Sequence, residues 1–293
     1  MLTKEENIKK ARVFHSIDMF FFKFTRPLKK LKNKGIREEI TIETDHGAVR
    51  TLWYGFDNKK IAPVFFDLHG GGFVLGHAEM DEAMNIAFHG KTGCRIISID
   101  YAKAPDHPYP VAVNQIYSVV RYIHENADKY FIERSRMAIG GHSAGANFSA
   151  VTCMRAAREG AFQFVCQVLD YPPLDIATNP YEKPRPKGSL SPKMELMFND
   201  SYVDPGEAKH PYVSPVYASP EDLEGLPPAI FILAGKDSLH DEGILYHNML
   251  VDAGVKSACH EYPDARHGFT YKKSKDAADA IEKMAEFLNQ YMK

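Results

Sequence analysis

Met137-Ala138-Ile139-Gly140-Gly141-His142-Ser143-Ala144-Gly145-Ala146 is the stretch on which the fold turns. The short apolar run 137–139 reads as a buried strand, and the small residues 144–158 read as a helix. Between them lies Gly141-His142-Ser143-Ala144-Gly145, of the form G-x-S-x-G. A strand that becomes a helix over so few residues strains its central residue, and only small neighbours avoid collision there. Such a turn lifts the Ser143 hydroxyl clear of the sheet, above the helix N-terminus. A glycine-rich turn without chemistry would carry the same letters, so the rest of the chain must supply the other parts.

Outward from this turn, short apolar strand patterns alternate with longer helical ones from about Ile40 onward. Segments 39–44 and 49–54 read as strands around a turn at Asp45-His46-Gly47. Segments 64–68, 95–99, 164–169, 229–233 and 258–262 read as further strands, which makes eight with 137–139. Helical patterns occupy 81–91, 111–126, 241–253 and 276–291; in the second, Val113, Ile116, Val120 and Ile123 recur on one face. The alternation predicts an α/β fold, a mostly parallel eight-stranded sheet with helices on both faces. In such sheets chemistry gathers at the carboxyl ends of the strands.

Two stretches break the alternation. Residues 1–38 form a helical, Lys-rich leader with an aromatic patch, and residues 175–218 are Pro-rich with a short helix at 192–199. An insertion at that point of an α/β chain commonly lies over the active site. The expected organisation is therefore a cap segment, 1–38, and a catalytic domain, 39–293, with a cap insertion at 175–218. The stripe Phe14, Ile17, Phe20, Phe21 and Phe24 has the spacing of one helix face and is expected to bury itself at the pocket mouth. The main domain far from the site, or a homodimer interface, are its rival homes.

Composition narrows the function. Lys+Arg 36 against Asp+Glu 38 leaves no excess charge for a phosphate backbone, so nucleic acid is not an expected partner. The cysteines, Cys94, Cys153, Cys166 and Cys259, form no C-x-x-C pair and suit free thiols in a reducing compartment. The charged leader has no apolar core of a signal peptide, and 19–22 is too short to span a bilayer. A soluble, cytoplasmic protein is expected.

His69-Gly70-Gly71-Gly72-Phe73 follows the 64–68 strand directly. Consecutive glycines let backbone N–H groups come close to a ligand. A tetrahedral oxyanion needs such preorganised donors, and the amides of Gly71, Gly72 and Ala144 are the candidates. A phosphate loop would end in Lys-Ser/Thr, which Phe73-Val74 is not. A hydroxyl nucleophile needs a base, and the base an orienting acid. His267, in the loop after the last strand, stands last in the chain order nucleophile, acid, histidine. Asp237, in a Gly-containing loop after the 229–233 strand, is the acid candidate. Its rivals Asp241 and Glu242 read as first-turn helix residues, and Asp264 lies too near His267. There is no H-E-x-x-H and no G-x-G-x-x-G after the first strands, so neither metal nor dinucleotide cofactor is expected.

Together these residues resemble the hormone-sensitive-lipase-like, or bacterial family IV, esterases of the α/β-hydrolase superfamily. The resemblance rests on His69–Phe73, Asp100-Tyr101-Ala102-Lys103-Ala104-Pro105-Asp106-His107-Pro108-Tyr109-Pro110, the Ser143 pentapeptide, Asp237-Ser238-Leu239-His240-Asp241-Glu242-Gly243 and His267-Gly268-Phe269. It runs from about residue 40 to the end. It implies Ser143, Asp237 and His267 as catalytic triad, Gly71, Gly72 and Ala144 as oxyanion hole, no cofactor, a helical cap, and small-molecule esters with short acyl groups as substrates. An amidase or formamidase uses the same triad. Plant gibberellin receptors share the scaffold but lack the triad histidine, which His267 supplies here. The chain departs from the family pattern at His142, where an Asp is usual, at Ala146, where a Gly is usual, and at Ala102, where an Arg is usual. The expectation is that the missing acid and base form one pair in relatives and were replaced together.

Overall fold

The computed structural model describes residues 2–32 and 35–293. Its frame is one eight-stranded sheet in the order β1-β2-β4-β3-β5-β6-β7-β8. The strands are β1 (Arg37–Thr44), β2 (Gly47–Tyr54), β3 (Ala62–Leu68), β4 (Arg95–Asp100), β5 (Ile132–His142), β6 (Cys166–Asp170), β7 (Ala229–Ala234) and β8 (Ser257–Tyr262). β2 runs against both of its neighbours, and every other pairing is parallel. The expected α/β architecture is present.

The helices are α1 (Lys4–Lys32), α2 (Glu82–Thr92), α3 (Val111–Glu125), α4 (Ala144–Glu159), α5 (Pro192–Tyr202), α6 (Pro220–Leu223), α7 (His240–Asp252) and α8 (Lys275–Met292). Apolar layers lie on both faces of the sheet. One takes in α3, α4 and α7, with Val113, Ile116, Val120 and Ile123 all buried as their spacing predicts. Full burial of such side chains stabilises by roughly 2 kcal/mol each. The other takes in α2 and α8, through Met84, Phe88, Ala280, Met284 and Leu288. Local signals set the ends: Ser274 caps α8 by accepting the Ala277 N–H, and α4 stops at Gly160, whose φ is 61°.

β5 is much longer than the predicted 137–139. It pairs Ala62↔Ile132, shifts register, and resumes at Val64↔Met137. Its first half carries Glu133-Arg134-Ser135, part-exposed polar residues that hide a strand from a hydrophobicity pattern.

The leader corrects an expectation. α1 packs along α5, but not through the aromatic stripe. Asn7, Ala11, His15, Asp18 and Phe22 face inward. Asn7 Nδ2 donates to Asp200 Oδ2 at 2.7 Å, and the Gly76 N–H donates to Asp18 Oδ2 at 2.9 Å. His15 Nδ1 bonds Val74 O at 2.8 Å, and Phe22 stacks on His77 at 3.9 Å. Phe14, Ile17, Phe20, Phe21 and Phe24 are exposed. Met1, Asn33 and Lys34 of the 1–38 segment lie outside the described residues.

Candidate active site

The sheet brings its strand ends together around Ser143. β5 ends at His142, α4 begins at Ala144, and Ser143 between them takes φ 52°, ψ −120°. Such a conformation costs on the order of 1–3 kcal/mol in a non-glycine residue and persists only where its surroundings enforce it. They do so here by close approach. A Cβ on Gly145 would stand 1.8 Å from Leu68 O, and one on Gly141 2.2 Å from the same oxygen. The end of β3, which leads into the glycine loop, is thus pressed against the turn.

That loop has its own support. Tyr101 stacks on His69 at 4.2 Å, and its hydroxyl donates to His69 O at 2.5 Å. Gly71 has φ 129°, and a Cβ on it would meet Leu75 O at 2.0 Å. Among the described residues, the amides of Gly71, Gly72 and Ala144 have no protein acceptor. They remain open to an incoming oxygen beside Ser143.

Asp237 and His267 come from the loops after β7 and β8. His267 Nδ1 lies 2.6 Å from Asp237 Oδ2, and His267 Nε2 lies 2.9 Å from Ser143 Oγ. With Nδ1–H donating to the carboxylate, Nε2 is left as acceptor for the serine hydroxyl. Asp237 is buried, and its other oxygen accepts the Leu239 N–H at 3.3 Å. The rivals are elsewhere: Asp241 is exposed against His240, Asp264 is exposed against Lys236, and Glu242 accepts from Lys183 at 2.5 Å and from Leu174 N–H at 2.7 Å. Burial pushes Glu242 up to about 7 against the pull of Lys183.

Beside Ser143 and His267 opens a cavity of about 190 Å³, lined by Gly71, Gly72, Met80, Ile176, Leu190 and Phe198 among others. Glu195 of α5 also reaches it, and Ser238 Oγ donates to Glu195 Oε1 at 2.8 Å. Burial pushes the Glu195 carboxyl upward. Lys183 is a further lining residue. Sequence reasoning missed Lys183 and Glu195, because a Pro-rich insertion offers no periodicity to assign its polar residues.

Behind the turn, His142 is fully buried. Its Nδ1 lies 2.6 Å from Asp170 Oδ2, which also accepts from Thr270 Oγ1 at 2.7 Å. Burial alone would lower the His142 pKa, but Asp81, Asp170 and Asp67 outweigh it and hold it at about 9. Among the described residues, Asp67, Asp81 and His142 form the one group with three potential metal-ligand atoms, all within 4.8 Å of one another. With its proton held by the three carboxylates, the His142 ring is the cation of that group. Position 102 makes its hydrogen bond elsewhere. The Ala102 N–H donates to Gln115 Oε1 at 2.8 Å, and no hydrogen bond or ion pair among the described residues joins it to His142.

Comparison with known proteins gives the same answer as the fold. A family model described as alpha/beta hydrolase fold matches residues 65–271. Esterase LipI of Mycobacterium tuberculosis is 31% identical over 79% of this chain and 74% of its own length. An arylesterase of Saccharolobus solfataricus is 30% identical over 89% of this chain and 88% of its own. The solved structure of a Pyrobaculum calidifontis esterase superposes with a TM-score of 0.84 at 31% identity, covering 94% of this chain and 92% of that one. With a hydroxyl, imidazole and carboxylate in line at the strand ends of this sheet, the chain belongs to the α/β-hydrolase family, among its hormone-sensitive-lipase-like carboxylic-ester hydrolases.

Proposed function

We propose that this protein cleaves small carboxylic esters with short acyl chains through an acyl-enzyme. Ser143 is the nucleophile, His267 the base, Asp237 the acid that orients it, and the Gly71, Gly72 and Ala144 amides the oxyanion donors. The observation that carries the reading is the line of bonds Asp237–His267–Ser143, at 2.6 and 2.9 Å, beside a mostly apolar cavity.

The chemistry follows from those positions. As Ser143 Oγ attacks the ester carbonyl, its proton passes to His267 Nε2. Buried Asp237 stabilises the imidazolium that forms. The carbonyl oxygen becomes an oxyanion, for which a single well-placed amide donor is worth about 3 kcal/mol. His267 then hands its proton to the leaving alcohol. Water repeats the sequence on the acyl-serine and releases the acid.

The short-chain preference rests on the cavity. Clefts for drug-sized ligands run to roughly 300–1,000 Å³, and this one has about 190 Å³ with Phe198 packed over Gly72. Nitrophenyl esters from acetyl to decanoyl, with the matching amides, test it. Rates should be highest for the shortest acyl groups, fall steeply by decanoyl, and be far lower on amides. Ser143→Ala removes one oxygen from a part-exposed turn, so the fold should survive while kcat drops by several orders of magnitude. A variant that kept a tenth of the wild-type rate would sink the assignment.

A further inference from the structure

The leader helix carries an apolar face that nothing in the fold covers. Phe20, Phe21 and Phe24 are 58%, 63% and 66% exposed, and Val13, Phe14 and Ile17 extend the same face toward the N-terminus. The opposite side of the helix makes the contacts with α5 and with the loop beyond Gly72. Contiguous exposed aromatic surface of this kind marks an interaction site.

Charge says which kind. Residues 1–34 hold ten Lys and Arg against three Asp and Glu, in a chain whose net charge is −2. Lys23, Lys29, Lys30, Lys32 and Lys34 follow one another in the sequence with no acid between them, and Arg26 in the same run pairs with Glu39. A helix with exposed rings on one side, continuous with a polybasic run, suits the plane of a bilayer surface: rings among the acyl chains, cations at the lipid phosphates. We propose that α1 docks this protein on an anionic lipid surface. The docking is peripheral, because no helix among the described residues is long and apolar enough to cross a membrane. A second copy fits less well. In a parallel pairing two such helices would set their polybasic runs together, whereas anionic lipid satisfies rings and cations at once. α1 rests on α5, and Glu195, Phe198 and Asn199 of α5 line the cavity beside Ser143. A docked helix would therefore hold the cap close to the membrane, where apolar esters concentrate.

Cosedimentation of the full-length protein with extruded vesicles tests the proposal without relying on catalysis. Phosphatidylcholine vesicles with phosphatidylserine should bind it at low salt. Pure phosphatidylcholine, or high salt, should bind it at least about tenfold less, since each basic residue near an anionic surface contributes about fivefold. Phe20→Ser, Phe21→Ser and Phe24→Ser combined should weaken binding to both vesicle types, with the melting temperature and the rate on a soluble acetyl ester unchanged. Lys29→Gln, Lys30→Gln and Lys32→Gln combined should weaken binding to the anionic vesicles alone. Wild-type protein that stays in the supernatant with anionic vesicles at low salt overturns the proposal. So does a soluble dimer that the triple Phe variant dissociates while vesicles capture nothing, which would assign the face to a second copy.

Discussion

Removing the charge of Asp81 should release the proton that His142 holds beneath Ser143. The ionisable atoms of Asp67, Asp81 and His142 all lie within 4.8 Å of one another. At an effective dielectric constant near 20, a carboxylate and an imidazolium at that separation attract by about 3 kcal/mol. The interval between the ordinary histidine value of 6.5 and the about 9 of His142 corresponds to a similar energy, about 3 kcal/mol. Because the folded-state value is raised, this contribution is fully present below about pH 6.5. It declines as pH rises and is gone above about 9. Burial pushes Asp67 up to about 7, so that group titrates at the acid end of the window, and burial raises Asp81 as well, against the pull of His142 and Tyr271. Glu242, pushed up to about 7, and Cys94 and Cys259, pushed up to about 11, all by desolvation, erode stability inside the window in wild type and variant alike, the thiols from about pH 9 upward. Asp81→Asn keeps the shape and an acceptor for the Tyr271 hydroxyl, which bonds Asp81 Oδ1 at 2.5 Å. Histidine-selective nitrogen NMR should place the wild-type His142 midpoint near 9 and the variant roughly two pH units lower. Urea unfolding between pH 6.5 and 9.5 should show a loss larger by about 3 kcal/mol in wild type than in Asp81→Asn. A wild-type midpoint below 7, or the same midpoint in both proteins, would refute the reasoning.

Three further substitutions test the site. Asp237→Asn should lower kcat by about 10⁴ through the wrong imidazole tautomer, while Asp241→Asn, at an exposed helix start, should leave it within about twofold; steady-state rates on an acetyl ester decide, and a reversed result moves the acid. Gly145→Ala would drive a Cβ to 1.8 Å from Leu68 O, so thermal melting should show a loss beyond about 3 kcal/mol or no folded protein at all.

Much of this was legible in the residues because it rests on local geometry. A G-x-S-x-G after an apolar run admits few backbone paths, and the glycine loop after β3 has no other economical use than to bring amides close. The strand order was not readable, since pairing β4 beside β2 depends on contacts across 50 residues of chain, Arg50↔Asp100 among them. β5 was cut short because its first half, where the pairing with β3 shifts register between Ile132 and Met137, carries the polar residues Glu133-Arg134-Ser135. The leader was read from its loudest signal, the aromatic stripe. Helical spacing shows which residues share a side, but not which side has a partner. The partnered side of α1 is mostly small or polar: Asn7, Ala11, His15 and Asp18, with Phe22 alone supplying a ring.

His142 shows why a departure from a family pattern cannot be interpreted from sequence neighbours alone. The resemblance puts an acid at this position and a base at position 102, and it is tempting to join the two. In this chain the side chain at 142 projects into the layer shared by α2 and α8, where Asp67 at the end of β3, Asp81 before α2 and Asp170 at the end of β6 converge. Three buried carboxylates need protons or a cation, and another acid at 142 would deepen that need rather than meet it. A histidine meets it, and it does so on the strand end that leads into Ser143. Asp170 accepts from His142 through its side chain and from the Ser143 N–H through its carbonyl at 2.9 Å, so the charge balance of this buried group and the position of Ser143 are set by the same residue. Thr270 extends the link: it donates to Asp170 and bonds the Tyr171 hydroxyl at 2.7 Å, and the Tyr171 ring stands edge-on to His267 at 4.7 Å. In this chain the groups that balance His142 are therefore those at 67, 81 and 170.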